Sequence, residues 1–141
     1  MRTDVKRRGW TISAEGNDLA DRFLESVFFT GNGRMGARGY PAYRPIRRPL
    51  DAGLFLAGFY DRISDSTELT DFVNLPTPIW YQIRLNGRIP AIPSHLSRAL
   101  DLRTGLLTFR YRLSIADDWV DVQEQRFFSL AKPSFLFQRL E

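Results

Sequence analysis

Cysteine is absent from this sequence, and histidine occurs once, as His95. Without cysteine the chain forms no disulfide and no thiolate metal site. A single histidine leaves no imidazole pair for a zinc site, and His95 is the one candidate base for a Ser-His-Asp arrangement. His95 follows a proline-rich connection, and the neighbouring Ser94 is not on a strand-to-helix elbow, so we predict neither to be catalytic.

Long hydrophobic runs are missing as well. No stretch approaches the roughly eighteen apolar residues that a transmembrane helix needs. The basic residues among positions 1–10 are not followed by an apolar segment, so they do not have the pattern of a secretory signal. We therefore expect no membrane partner, and the lack of both a signal and cysteine favours a cytoplasmic location.

Positive charge is in modest excess, with a formal net charge of +4 that is almost entirely arginine. The densest basic cluster comprises Arg44, Arg47 and Arg48, and prolines interrupt it. A nucleic-acid footprint would need a longer basic surface and would give strongly salt-dependent binding. We expect no nucleic-acid partner, and predict a solvated loop or arginines that pair with carboxylates of a neighbouring domain.

What the sequence does contain is a dense glycine cluster, formed by Gly31, Gly33, Gly36 and Gly39. Each would cost about 1 kcal/mol inside a helix, whereas Asn32-Gly33 between apolar runs favours a hairpin turn. We predict strands over residues 27–30 and 34–40, with Gly36 and Gly39 at bulges or where another backbone passes closely. The spacing also fits a nucleotide-binding G-x-G-x-x-G, but the prolines that follow would prevent the helix which that site requires.

The rest of the pattern consists of short strands separated by turns. Apolar residues at Leu19, Phe23 and Val27 predict one or two helical turns. Strands are predicted at residues 10–14, 53–61, 79–85, 100–103, 106–113, 119–130 and 134–141, with turns at Asn86-Gly87, Thr104-Gly105 and Asp117-Asp118. The fold class is therefore all-β, an antiparallel β-sandwich with at most one short helix.

Along residues 107–113 the alternation is regular. The apolar side chains Leu107, Phe109, Tyr111 and Leu113 share one face, and Thr108, Arg110 and Arg112 share the other. We also predict that the tryptophans on strands, Trp10, Trp80 and Trp119, are core residues rather than sugar-stacking platforms.

Residues 25–39 fit the pattern Glu-Ser-x-Phe-x-x-Gly-Asn-Gly-x-x-Gly-x-Arg-Gly, which resembles the signature near the N-terminus of glycoside hydrolase family 65. Four further segments resemble that family in the same order: residues 53–61, 68–76, 100–107 and 126–133. The family contains maltose, trehalose and kojibiose phosphorylases and some acid trehalases. Thr30 and the pair Arg34-Met35 depart from its usual pattern and leave the subfamily open.

The resemblance implies that residues 1–141 are the front portion of a large β-sandwich that packs beside an (α/α)6-barrel. In such enzymes the barrel carries the general acid and the phosphate-binding residues, and here the barrel is absent. We therefore expect no catalytic residue and no metal site in this chain. The expected partners are the missing barrel, an α-glucosidic disaccharide and a second copy in a homodimer.

The activity implied for the parent enzyme is cleavage of a disaccharide of the maltose, trehalose or kojibiose type, with inversion. Phosphate or water would attack, and no cofactor is expected besides inorganic phosphate as a co-substrate. Loops of the N-terminal domain lie near the active site in such enzymes, so the resemblance makes Asn32, Arg34 and Arg38 the residues expected closest to the sugar. The alternative is a stand-alone carbohydrate-binding or protein-interaction β-module.

Glycosyl transfer uses paired carboxylates, and the sequence offers three pairs. They are Asp61 with Asp65, Glu68 with Asp71, and Asp117 with Asp118. Each pair falls in a polar turn, so we predict exposed turn carboxylates rather than an active site.

Overall fold

The computed structural model describes residues 4–16, 22–43, 53–62, 70–91, 93 and 95–141. These residues form eleven strands and one short helix: β1 Val5–Arg8, β2 Thr11–Gly16, α1 Arg22–Val27, β3 Thr30–Gly31, β4 Met35–Ala37, β5 Leu54–Leu56, β6 Tyr60–Arg62, β7 Thr70–Phe72, β8 Leu96–Asp101, β9 Leu106–Ile115, β10 Asp118–Phe128 and β11 Leu136–Leu140. The predicted all-β class with one short helix is confirmed. Within the described ranges, no helix has the length and the apolar character needed to cross a membrane.

Three antiparallel sheets organise these strands. The largest has six strands in the order β1-β2-β8-β9-β10-β11, so β2 pairs with a strand from the second half of the chain. The hairpin strands β3 and β4 form a three-stranded sheet with β5, and β6 pairs with β7. The result is a sandwich-like β fold with the glycine hairpin beside the large sheet.

The core lies on one face of the six-stranded sheet, which we call the inner face. The alternation predicted for residues 107–113 is confirmed, because Leu107, Phe109, Tyr111 and Leu113 are buried. They pack with residues of other elements, namely Leu24 and Phe28, Tyr43, Leu96, Leu100 and Val122. Burial of each large apolar side chain contributes about 1.5–3 kcal/mol, so this cluster fixes how α1 and residues 38–43 cover the sheet.

The helix is present, but its buried face differs from the predicted one. Phe23 is 47% exposed, whereas Leu24 and Phe28 are buried at the i, i+4 spacing of one helical face. Val27 ends α1 and does not begin a strand. Leu19 lies outside the described residues. Packing against the sheet, and not the spacing of apolar residues within the segment, therefore determines which face of α1 is buried.

Residues 53–61 and 79–85 depart furthest from the strands predicted for them. Residues 53–61 divide into β5 and β6, because the chain turns at Ala57-Gly58, where Gly58 has a φ of +80°. Phe59 and Tyr60 beyond this turn are exposed, so the apolar run is not buried on both faces. Residues 79–85 form no regular strand, although Asn86 and Gly87 have the positive φ values, 49° and 78°, that a type I′ turn requires.

Two tryptophans also depart from the prediction, and two strands, β1 and β7, were not predicted. Trp10 and Trp119 are each 60% exposed and are not core residues, while Trp80 is half-buried. The strand β1 contains Lys6, Arg7 and Arg8, whose polarity hides it from pattern analysis. It forms because it lies at the edge of the sheet, where one strand partner, β2, is sufficient.

Candidate functional site

The glycine hairpin is a compact structure built on close backbone approaches. Strands β3 and β4 pair Thr30 with Ala37 and Gly31 with Gly36. A Cβ atom on Gly36 would lie 2.6 Å from the ring of Phe29, and one on Gly39 would lie 2.6 Å from the carbonyl oxygen of Phe28. Position 39 requires glycine because the neighbouring atom belongs to the backbone, whereas a Cβ at position 36 would displace the Phe29 ring.

Asn32 holds the tip of the hairpin in place. Its Oδ1 atom accepts hydrogen bonds from the backbone N–H groups of Arg34 and Met35, each at 3.0 Å. Its Nδ2 atom donates to the carbonyl oxygens of Ser129 at 2.7 Å and Pro133 at 3.0 Å. An asparagine amide offers two donors and one acceptor oxygen, so the side chain is fully used in joining the hairpin to the loop after β10.

Arg34 and Arg38 lie in different settings around the same aromatic ring. Arg34 is exposed and lines a groove of about 450 Å³ together with Phe55. Arg38 is half-buried, and its guanidinium carbon lies 6.0 Å from the centre of the Phe55 ring. The structure therefore gathers Asn32, Arg34 and Arg38 around the hairpin, and their proximity to a sugar stays a prediction.

Exposed aromatic rings line the groove beside the hairpin, which we call the hairpin groove. Phe55 lies 6.3 Å from Phe29 and 6.1 Å from Phe72, and Phe72 lies 4.9 Å from Tyr60 between ring centres. Phe29 is 43% exposed and Phe72 is 57% exposed. A contiguous exposed apolar patch of this kind marks an interaction surface, and its rings supply packing rather than acid–base chemistry.

A buried ion pair on β10 is the main feature that sequence reasoning missed. The side chains of Glu124 and Arg126 have no exposed surface, and Arg126 Nη1 lies 3.5 Å from Glu124 Oε1. Arg126 Nη2 donates to the carbonyl oxygens of Arg38 at 2.9 Å and Tyr40 at 2.6 Å. Its guanidinium also lies 5.1 Å from the ring centres of Tyr40 and Phe109. Arg126 thus fastens the chain after the hairpin to the inner face.

Glu124 also binds the segment after the hairpin, through Ala42. It accepts hydrogen bonds from the backbone N–H of Ala42 at 2.8 Å and from the hydroxyl of Tyr81 at 3.3 Å. The Tyr81 hydroxyl is also 2.7 Å from that of Tyr111. Burial raises the pKa of Glu124 even though Arg126 and the hydrogen bonds from Ala42 and Tyr81 oppose the shift. Burial likewise lowers the pKa of Arg126.

The predicted carboxylate pairs do not form a catalytic arrangement within the described residues. Asp65 and Glu68 lie outside those residues. Asp61 and Asp71 are directly opposite one another on β6 and β7, and both are exposed. Asp117 and Asp118 are also exposed, at the β9–β10 turn. A general acid at neutral pH needs an apolar, concave setting, whereas these four aspartates are exposed to solvent.

The other candidates from the sequence are His95, a metal site and further carboxylates. His95 is exposed and immediately precedes β8. No cluster of three or more potential metal-ligating side chains occurs in the part of the chain that the structure describes. The buried carboxylates there are Glu25 and Glu124. Since Glu124 is occupied by its hydrogen bonds, its arrangement serves packing and not catalysis.

Comparison with known proteins gives two findings. The family model described as glycosyl hydrolase family 65, N-terminal domain, matches residues 14–141. The chain is also similar to trehalose 6-phosphate phosphorylase of Lactococcus lactis subsp. lactis (strain IL1403), with 26% identity over 123 residues. That similarity covers 79% of this chain but 16% of the relative, so the chain spans a small part of the relative's length.

Proposed function

The chain belongs to glycosyl hydrolase family 65, as the N-terminal domain of that family, and from this premise we propose that it is the non-catalytic domain of an inverting glycoside phosphorylase or hydrolase. The match covers residues 14–141 and is the observation that carries the proposal. The parent enzyme acts on an α-glucosidic disaccharide of the maltose, trehalose or kojibiose type.

The disposition of acidic groups supports a non-catalytic role for this domain. Inverting glycosidases place two carboxyl groups about 6.5–9.5 Å apart across the scissile bond. Asp61 and Asp71 are opposed but solvent-exposed, and Glu124 is buried with its oxygens bonded to the protein. The domain instead acts as a scaffold for an (α/α)6-barrel supplied by the rest of the polypeptide.

The hairpin groove supports the interface part of this role. Its exposed rings and Arg34 form a surface of mixed apolar and cationic character beside a hairpin that Asn32 holds rigidly. Asn32, Arg34 and Arg38 are the residues we place nearest to the sugar in the assembled enzyme. We further propose a cytoplasmic enzyme that assembles as a homodimer.

The substrate is a disaccharide attacked by inorganic phosphate or by water, with no further cofactor. The name of the Lactococcus relative adds a phosphorylated trehalose to the substrates worth testing. Phosphate would then be a co-substrate, and inversion at an α-linkage would release β-glucose 1-phosphate.

The test is an assay of the full-length protein on maltose, trehalose, kojibiose and trehalose 6-phosphate, each with and without inorganic phosphate. We expect one of them to release β-glucose 1-phosphate in the presence of phosphate, or glucose without it. A polypeptide of residues 1–141 assayed alongside should release neither. Turnover by that polypeptide alone, or no turnover by the full-length protein, would overturn the proposal and favour a β-module without enzymatic activity.

A further inference from the structure

A second cavity lies on the opposite, outer face of the six-stranded sheet. Its volume is about 770 Å³, within the range of small-molecule sites. The cross-strand register sets its floor, because Arg110 lies between Ser97 and Gln123, and Arg112 lies opposite Asp121. We call this the outer-face cavity, and it is separate from the hairpin groove.

The side chains that line the outer-face cavity hold one another in fixed orientations. Arg112 binds Asp121 through two parallel hydrogen bonds, from Nε at 2.6 Å and from Nη2 at 2.8 Å. Arg110 Nε donates to Gln123 Oε1 at 2.8 Å, and Gln123 Nε2 donates to Glu141 at 3.3 Å. Planar groups fixed in this way present donors and acceptors without further ordering, which reduces the entropic cost of binding.

Both donors and acceptors remain available after these bonds are made. Within the described part of the chain, no protein acceptor is bonded to Nη1 or Nη2 of Arg110. The hydroxyl of Ser97 and the imidazole of His95 also line the cavity. A ligand with both donor and acceptor groups would find hydrogen-bonding partners here for both kinds of group.

The carboxylates at the cavity are already paired. Asp121 binds Arg112, and Glu141 binds Arg139 beside the cavity. Arg110 donates to a neutral amide and therefore supplies the remaining charge. The hydrogen bond from Arg112 lowers the pKa of the Asp121 carboxyl, so that pair stays ionised at neutral pH. A single exposed guanidinium repels a metal cation and concentrates phosphate only weakly in salt, which favours a neutral ligand rich in hydroxyl groups.

Trp119 adds an apolar platform next to these polar groups. It lies on the outer face of β10, two residues before Asp121, and is 60% exposed. The guanidinium of Arg112 lies 4.3 Å from the centre of its ring. An exposed indole held by a stacked arginine offers its free surface to the C–H face of a sugar ring, while the paired side chains reach the hydroxyl groups.

We propose that the outer-face cavity is a non-catalytic binding site for a neutral sugar chain, with Trp119 as the stacking platform and Arg110, Arg112 and Asp121 as hydrogen-bonding partners. The choice of a glucosyl chain rests on the proposed function, whereas the neutral-sugar chemistry rests on the cavity alone. The site would hold a longer glucoside on the surface of the enzyme, apart from the place of cleavage.

The test measures binding of maltoheptaose to the full-length protein by isothermal titration calorimetry, with disaccharide turnover followed in parallel. Trp119→Ala and Arg110→Met should each weaken binding at least tenfold. Trp10→Ala is the matched control, because Trp10 is equally exposed but lies in the β1–β2 turn, whereas Trp119 stacks on Arg112 of the cavity. It should bind like the wild type, and all three variants should keep the turnover of the wild type.

Three outcomes would overturn the site. They are no saturable binding by the wild type, equal affinity of Trp119→Ala and Trp10→Ala, or tighter binding of inorganic phosphate that displaces the sugar. Melting temperatures identify a variant that fails to fold. If Trp119→Ala fails to fold, the affinity of Arg110→Met is the test of the site, because Arg110 is exposed and its replacement should not affect folding. Binding without disaccharide turnover would contradict the proposed function and leave this site standing.

Discussion

Every polar position of the Asn32 side chain is bonded to the protein itself. Two bonds shape the hairpin turn, and two reach the carbonyl oxygens of Ser129 and Pro133, far away in sequence. A residue expected from family resemblance to approach sugar is therefore also a structural tether. Its amide has no donor left over, so any contribution to a sugar site comes through the position it gives to Arg34.

Asn32→Ala tests the tether. The variant removes four hydrogen bonds, and the two part-buried ones, with Met35 and Ser129, together contribute about 1–3 kcal/mol at about 0.5–1.5 kcal/mol each. We expect a loss of that size in the free energy of unfolding measured with urea. Arg34→Ala is the neighbouring control, and as an exposed substitution it should change stability by less than about 0.5 kcal/mol.

Gly39→Ala tests the close approach behind the hairpin. The added Cβ would lie 2.6 Å from the carbonyl oxygen of Phe28, and Gly39 also donates a hydrogen bond to the carbonyl oxygen of Glu25 at 2.7 Å. Since the neighbour is backbone and cannot rotate away, we expect destabilisation of at least about 1–3 kcal/mol.

The matched control for Gly39 is Gly87→Asn. A Cβ at Gly87 would meet nothing within 4 Å, and asparagine tolerates the positive φ of 78° better than other residues. This variant should lose much less stability than Gly39→Ala in the same thermal melts. Equal losses would contradict the close approach to Phe28 as the reason for glycine at position 39.

At the scale of elements, sequence patterns predict β9 and β10 closely, whereas β8 begins four residues before the strand predicted at residues 100–103 and shares only Leu100 and Asp101 with it. The turn expected at Thr104-Gly105 lies between β8 and β9, where Gly105 has a φ of +68°. These strands are antiparallel with one polar face, so period-two alternation reports directly which side chains are buried. The pattern fails for α1, for residues 53–61 and for residues 79–85, because contacts from distant segments decide their structure.

The ion pair on β10 shows a different limit. Glu124 and Arg126 fall in register with Val122 and Phe128 on the inner face, so the alternation alone marked them as buried positions. Their polarity argued against burial, and the partners that satisfy them, the carbonyl oxygens of Arg38 and Tyr40 and the N–H of Ala42, come from an irregular segment. Local patterns contain no information about such partners.

The pH dependence of stability tests the attachment between β10 and that segment. Burial raises the pKa of Glu124 above its ordinary value of 4.5, so the folded protein binds this proton more tightly than the unfolded chain. The resulting stabilisation is fully present below pH 4.5 and is lost as pH rises through the folded-state pKa. Arg126, Tyr81, Tyr111 and Tyr40 are the other titratable groups of the cluster.

Glu124→Gln removes this titration while keeping an acceptor oxygen for the N–H of Ala42. We expect the variant to gain stability relative to the wild type as pH rises from about 4.5, in thermal melts at closely spaced pH values. A difference that stays constant across this range, or that moves in the opposite direction, would contradict a raised pKa for Glu124.

At the scale of the molecule, a second patch of exposed apolar surface, besides the hairpin groove, lies on β10, β11 and the loop between them. The rings of Phe127 and Phe137 stack with centres 5.2 Å apart, and Phe135 lies 6.2 Å from Phe137. All three rings are substantially exposed, and β11 is the last strand in the order of the large sheet. An apolar edge strand of this kind promotes association with another strand.

Phe137→Lys tests this surface in a polypeptide of residues 1–141. We expect the wild-type polypeptide to self-associate with increasing concentration in light-scattering measurements, and the variant to remain smaller under the same conditions. Phe23→Lys, on the exposed side of α1, adds the same charge away from the edge and should not reduce association. Identical behaviour of the two variants would mean that net charge, and not β11, controls association.

The family could be recognised from five sequence segments. The β class could be recognised from glycine turns and from the alternation of apolar and polar residues, because both are local sequence patterns. The outer-face cavity could not be recognised in this way. It depends on residues from β8, β9 and β10 that come together only through the strand register, and Trp119 was expected in the core. Register depends on the whole sheet, so the cavity became visible only with the structure.

The two borders of the six-stranded sheet are chemically unlike. The β1 border is lined with Lys6, Arg7 and Arg8, which repel the approach of another positively charged chain, whereas the β11 border offers Phe137 and Leu140. The β11 border is therefore the more favourable of the two for pairing with an additional strand. Association through sheet edges is then directed to one side of the sheet, while basic side chains disfavour positively charged partners at the other.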